Sequence, residues 1–210
     1  MLVAATLLAT QLVIGLVLVC TAGASAPTAS PLRIAVVGDS YAAGIQNRVV
    51  WPTLLAQRTG WSVSNFALPA SGFAADGQGG QAFTYQVDRA QASDPRVILI
   101  VGGLADAGSA EADPITFGAI DAINKVKRTG RQALVIGPTW YEVPVPASVR
   151  RVAFAVEQAA TDAGVPYLDA LDPPWLSRAA MRPDLSGPTD DGQSLIADRI
   201  GQWLQTRVSG

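Results

Sequence analysis

The stretch Arg33-Ile34-Ala35-Val36-Val37-Gly38-Asp39-Ser40-Tyr41 decides how the rest of the chain is read. A run of apolar, largely β-branched residues stops at a glycine and is followed at once by a carboxylate and a hydroxyl. That pattern predicts a buried parallel strand ending in a tight turn, with Ser40 displayed at the strand's carboxyl end. Ligands of open α/β sheets bind at that edge. The question for the remaining residues is whether Ser40 has the partners a nucleophile needs.

Downstream, strand-like and helix-like segments alternate. Residues 47–59 predict a helix with Trp51, Leu54 and Leu55 on its apolar side, and Pro52 is tolerable in a first turn. Residues 61–68 alternate as a second strand, residues 74–80 form a flexible glycine-rich loop, and residues 81–92 predict a helix. Arg96-Val97-Ile98-Leu99-Ile100-Val101 is the clearest buried strand and runs into Gly102-Gly103-Leu104-Ala105-Asp106. Helices over 114–128 and 147–163 flank a fourth strand at 131–137, and a short fifth strand falls at 165–169. A short helix within 171–180 and a final amphipathic helix to about Thr206 follow, with Leu195, Ile196, Ile200, Trp203 and Leu204 facing inward. Alternation of this kind predicts a parallel sheet covered on both faces: a three-layer α/β/α, doubly wound, flavodoxin-like domain of about five strands.

Composition narrows the function. Hydrophobic residues make up 49% and charged residues 15%, which supports a packed core rather than extended disorder. The net charge is -2 and no Lys/Arg cluster occurs, so no nucleic-acid partner is expected. The glycines of 74–80 lack the Lys-Ser/Thr of a phosphate loop, and the turn at Gly38 lacks the dinucleotide fingerprint, so no cofactor is expected. No metal site is expected either: there is no histidine, the sole cysteine is Cys20, and the carboxylates follow no loop pattern.

Residues 1–26 carry no charged side chain. The apolar run and the small residues Ala22-Gly23-Ala24 predict an export signal cut before Ser25, or else a retained membrane anchor. The lack of Lys or Arg before the run keeps both readings open. Cys20 follows Val19, which makes it an apolar leader residue rather than a lipid-attachment site. Residues 27–31 read as a proline-containing linker and 32–210 as the domain. The expected location is secreted or anchored outside the cytoplasm, with membrane contact only through the N-terminal segment. The oligomeric state is left open.

Four motifs in register resemble those of the SGNH/GDSL hydrolases. Gly38-Asp39-Ser40 resembles block I, and Gly72 matches the block II glycine. Gly102-Gly103-Leu104-Ala105-Asp106 matches block III with Ala105 where Asn belongs. Asp184-Leu185-Ser186-Gly187-Pro188-Thr189-Asp190-Asp191-Gly192 matches block V with Gly187 where His belongs. The resemblance implies Ser40 as nucleophile and Asp184 as the acid that orients the catalytic base. It implies an oxyanion hole from the N–H groups of Ser40 and Gly72 and from the side chain at position 105. It also implies esters of lipids, short acyl groups or acetylated sugars as substrates.

The departures bear on the chemistry. A serine hydroxyl needs an adjacent base near neutral pH, and histidine suits that task. This chain has none. The expectation is therefore a catalytically impaired envelope protein that binds an ester-bearing or carbohydrate ligand. The alternative is an active esterase or acyl transferase using Ser40 with a non-histidine base such as Asp184, assisted by Asp190 or Asp191. Those last two also read as helix N-terminal charges, and Asp39 and Asp106 as caps at strand ends. Tyr41, Phe73, Trp140 and Tyr141 are the aromatics expected to line the ligand pocket.

Overall fold

The computed structural model describes residues 30–208. The leader, Cys20 and most of the linker lie outside the described residues. Among the described residues no helix is long and apolar enough to cross a membrane.

In chain order the domain runs β1 (Arg33–Gly38), α1 (Ser40–Ala43), α2 (Trp51–Thr59), β2 (Ser62–Asn65), α3 (Phe83–Gln91), β3 (Val97–Val101) and α4 (Asp113–Arg128). It continues with β4 (Gln132–Ile136), α5 (Ala147–Asp162), β5 (Tyr167–Leu168) and α6 (Asp190–Val208). Short 3-10 helices occupy Leu104–Gly108 and Arg178–Ala180. The five strands form one parallel sheet in the order β2-β1-β3-β4-β5. Strand order therefore reverses between β1 and β3, which is where such sheets open a crevice for ligands.

The period of two along each strand sorts side chains onto two cores. Ala35, Val37, Ile98, Ile100 and Val135 pack under α3, α4 and α5, against Phe83, Ile115, Ile123 and Val152. Ile34, Val36, Leu99, Leu134 and Ile136 face the other way, against Trp51, Leu55, Ile196, Ile200 and Leu204 of α2 and α6. Both faces of the sheet are covered, as a continuous apolar strand such as Val97–Val101 requires.

Several boundaries differ from expectation, each for a local reason. Helix α2 starts at Trp51 rather than residue 47, because Asn47 is committed elsewhere. Its Oδ1 accepts from the Ile45 N–H at 2.9 Å, and its Nδ2 donates to the Pro188 carbonyl at 3.0 Å. Helix α6 starts at Asp190, earlier than expected, because the Thr189 hydroxyl accepts the Gly192 N–H at 3.1 Å, as an N-cap does. Leu195 is 44% exposed and does not face inward; buried Gln193 occupies that stripe instead. Strand β5 shrinks to two residues at the sheet edge.

Gly192 lies inside α6, where glycine normally costs stability. A Cβ there would overlap the Ala180 carbonyl oxygen and sit 2.8 Å from the Pro188 Cβ. Gly192→Ala is therefore expected to destabilise the domain by about 1–3 kcal/mol through overpacking, the opposite sign to the usual helix gain. Urea unfolding of the two proteins measures it.

Candidate active site

The site is built at the carboxyl ends of β1 and β3. Gly38 ends β1; its N–H donates to the buried Gln86 Oε1 at 2.9 Å, and a Cβ there would press on Ala42. Asp39 caps α1, its Oδ1 accepting the Tyr41 N–H at 3.0 Å. Its Oδ2 accepts the N–H groups of Gly103 and Leu104 at 3.0 and 3.1 Å. One buried carboxylate thus ties the end of β1 to the segment after β3. Gly102, at φ +104°, leaves room for it, because any Cβ there would overlap the carboxylate. Burial raises the Asp39 carboxyl above its ordinary value; the three N–H bonds oppose the shift and the charge of Asp106 adds to it.

Asp106 repeats the device one loop further on. Its Oδ2 accepts the Phe73 N–H at 2.7 Å, and its Oδ1 accepts those of Ala74 and Ala75 at 3.0 and 2.7 Å. Burial raises this carboxyl as well, again opposed by its backbone donors. Asp76 then accepts the N–H groups of Gly80, Gln81 and Ala82 at 2.8 to 2.9 Å. The glycine-rich loop expected to be flexible is thereby pinned by two carboxylates, each taking three backbone donors.

Ser40 opens α1 beside this frame. Its Oγ accepts the Ala70 N–H at 2.9 Å. This corrects the expectation for Gly72. The Gly72 N–H donates to the Ala75 carbonyl at 2.8 Å, and a Cβ at Gly72 would overlap the Asp106 carboxylate. Gly72 is a glycine because a carboxylate must approach its backbone, and the donor that faces Ser40 belongs to Ala70, held at φ +56°. Ser71, fully buried, fixes that turn: its Oγ donates to the Leu68 carbonyl at 2.7 Å and accepts from Gln86 Nε2 at 2.8 Å.

Ser40 lies in a cleft of about 330 Å³. Tyr41, Leu104, Ala105, Trp140 and Tyr141 form its walls with Asp39 and Ala70, and Leu185 and Ser186 close one side. Trp140 and Tyr141 are stacked, with centroids 4.6 Å apart and planes 26° from parallel. Burial pushes the Tyr41 phenol well above its ordinary ionisation, so it stays neutral. Ala105 presents only a methyl group. Phe73 is not in the cleft: it is 2% exposed and packs edge-on against Phe83 in the core at 4.8 Å. The turn that delivers its N–H to Asp106 drives its ring inward.

Asp184 and Gly187 lie in the turn that precedes α6. Asp184 Oδ1 accepts both the hydroxyl of Ser186 at 2.7 Å and the Ser186 N–H at 3.1 Å. Those bonds, with Arg182 nearby, hold its carboxyl below the usual range. A Cβ at Gly187 would meet the Ile45 side chain at 3.0 Å. Ser186, not Gly187, lines the cleft.

The sequence reading missed Ala70, Leu104, Leu185 and Ser186 as wall residues, and Gln86 and Gln193 as supports. Gln193 Oε1 accepts the Trp51 N–H at 2.8 Å and its Nε2 donates to the Tyr41 carbonyl at 3.0 Å. Both glutamines lie on the apolar stripes of their helices, and that was the signal available: a polar residue at a core position needs a buried partner.

A serine at the switch point of a doubly wound parallel sheet places the chain among α/β proteins with a cleft at the carboxyl ends of their strands. The chain belongs to the GDSL-like lipase/acylhydrolase family, whose model matches residues 36–195. No curated protein sequence matches it. Among solved structures it is similar to a protein described as lipolytic, of the G-D-S-L family, from Desulfitobacterium hafniense DCB-2. The identity is 16%, the TM-score 0.68, and 80% of this chain and 97% of that one are covered. It is similar to the psychrotrophic esterase EstA from Pseudoalteromonas sp., inhibited by monoethylphosphonate, at 16% identity and TM-score 0.64, covering 84% and 98%. It is also similar to a family two carbohydrate esterase from Clostridium thermocellum in complex with cellohexaose, at 14% identity and TM-score 0.67, covering 88% and 66%. At these identities the likeness is one of fold.

Two outcomes follow from the carboxylate frame. Asp106→Asn turns an amide NH2 toward at least one of the backbone N–H groups that the carboxylate now accepts, and is expected to cost about 1–3 kcal/mol in urea unfolding. Asp76 has its carboxyl lowered below 3.8 by the Ala82, Gly80 and Gln81 N–H groups, so it is the folded state that holds the ionised form better. Its stabilisation is present above the unfolded value and is lost as pH falls through the folded one. The thermal midpoint is expected to fall on acidification below pH 3.8, and to fall less steeply in Asp76→Asn.

Proposed function

We propose that this chain is a catalytically impaired member of its family, located outside the cytoplasm, whose cleft binds a neutral carbohydrate or its ester without turning it over as a working esterase does. The observation that carries the reading is the environment of Ser40. Its Oγ has a donor, the Ala70 N–H, and no base among the side chains of the cleft. The Asp39 carboxylate is spent on three backbone N–H groups. Asp184 is bonded to Ser186 and is a weaker base than an ordinary carboxylate.

In the resemblance to the family, Gly187 and Ala105 stand in for the base and for one oxyanion donor. Loss of such a donor costs roughly 100- to 1000-fold in rate. Loss of the base in a serine protease triad costs on the order of a millionfold. What the cleft retains is an aromatic wall, two serine hydroxyls and the apolar side chains of Leu104, Ala105 and Leu185, which are features that bind. The carbohydrate esterase with cellohexaose supports a saccharide ligand, and EstA supports the rival reading of an active esterase that uses Ser40. Ser40 and the Ala70 N–H are what that rival retains.

Hydrolysis of 4-nitrophenyl acetate and 4-nitrophenyl butyrate by the full chain decides between them. The expected rate is that of the buffer and is unchanged in Ser40→Ala. Turnover that disappears in Ser40→Ala overturns the impaired reading. Gly187→His with Ala105→Asn is expected to create Ser40-dependent hydrolysis, and more of it when Ile45→Ala removes the side chain that a Cβ at 187 meets at 3.0 Å.

A further inference from the structure

The two serine hydroxyls of the cleft have opposite hydrogen-bonding polarity, and the geometry fixes which is which. An ionised carboxylate only accepts, so the Ser186 hydroxyl proton is committed to Asp184 Oδ1 at 2.7 Å. The same oxygen takes the Ser186 N–H at 3.1 Å, which locks the short turn in place. Ser186 therefore faces the cleft with lone pairs alone. A backbone N–H only donates, so Ser40 Oγ has one lone pair filled by Ala70 at 2.9 Å and retains its own proton to give. Both residues border the same cleft, which the stacked Trp140 and Tyr141 wall on another side.

We infer that Ser186, held as an obligatory acceptor by Asp184, is a specificity-determining residue of the cleft and selects ligands that bring a hydroxyl donor to it while offering an oxygen acceptor to Ser40. This rests on the reading of the cleft as a ligand site and goes beyond it. In that arrangement Asp184, the residue that would orient a base in an active relative, orients a binding hydroxyl. The ligand class is a neutral polyhydroxyl ring compound. Its free hydroxyl donates to Ser186 Oγ, its ring, glycosidic or acyl oxygen accepts from Ser40, and its C–H face lies on the aromatic pair. A fully etherified sugar keeps the acceptors and the ring but has nothing to donate.

Isothermal titration calorimetry of the full chain with cellotriose and with per-O-methylated cellotriose tests it, in the wild type, Ser186→Ala and Asp184→Ala. Ser186 is exposed and Asp184 makes no core contact, and circular dichroism melting checks that the variants fold. Wild type is expected to prefer cellotriose by roughly tenfold, the upper worth of one neutral hydrogen bond. In Ser186→Ala that ratio falls at least fivefold. In Asp184→Ala it also falls, because the released Ser186 hydroxyl can now donate to the methylated probe, whose binding tightens. A merely structural role for the turn would weaken both probes together and leave the ratio unchanged. An unchanged ratio in both variants overturns the inference and leaves the cleft as a ligand site. No heat from either probe with the wild type overturns both the inference and the reading beneath it.

Discussion

Asp39 holds two strand ends together, and the cleft exists because it does. Its carboxylate satisfies one amide at the start of α1 and two after β3, so the strands at the switch point cannot part without leaving the two amides after β3 without this acceptor. The neighbouring residues answer to this contact. Gly102 lacks a side chain because the carboxylate fills the space, and Ser40 is presented at the first position of α1 because Asp39 caps it. A group in this position can be buried because its hydrogen bonds are made; unpaired, it would cost far more than the fold could offset.

The same logic runs outward through Asp106 and the two glutamines. Asp106 takes the three amides of the turn after Gly72, and Gln86 joins α3 to Gly38 and Ser71. Gln193 reaches from α6 to α2 and to the carbonyl of Tyr41. The turns after β1, β2 and β3 that frame Ser40 are thus anchored by buried polar groups. Such a frame positions residues accurately whether or not chemistry follows. This accounts for a domain that keeps the geometry of a hydrolase while its sequence holds no imidazole to work with.

How far the residues could be read in advance depended on the range of the interactions. The strands at Arg33–Gly38 and Val97–Val101 were legible because their burial on both faces leaves a continuous apolar run. Ser40, Ala105, Trp140 and Tyr141 line the cleft, each on a segment that follows a strand at its carboxyl end. Gly72 and Phe73 do not, because their roles are set by which way a turn faces. That direction depends on Asp106, more than thirty positions away. Ser186 was passed over for a different reason: it bonds a carboxylate, two residues away, that family resemblance assigns to another partner.

By itself the sequence determined the layered parallel architecture, the end of the sheet where the cleft opens, and the absence of any histidine. These follow from periodicity, from where glycine interrupts apolar runs, and from composition, all of which are local or additive. Only the tertiary structure decided which backbone N–H faces Ser40, which side chains form the walls, and what Asp184 does. The first two depend on how segments far apart in the chain are brought together, and the third on which of its possible partners a turn offers Asp184. A donor or acceptor in the sequence is only a capacity; the fold brings a single partner within about 3 Å and thereby assigns it.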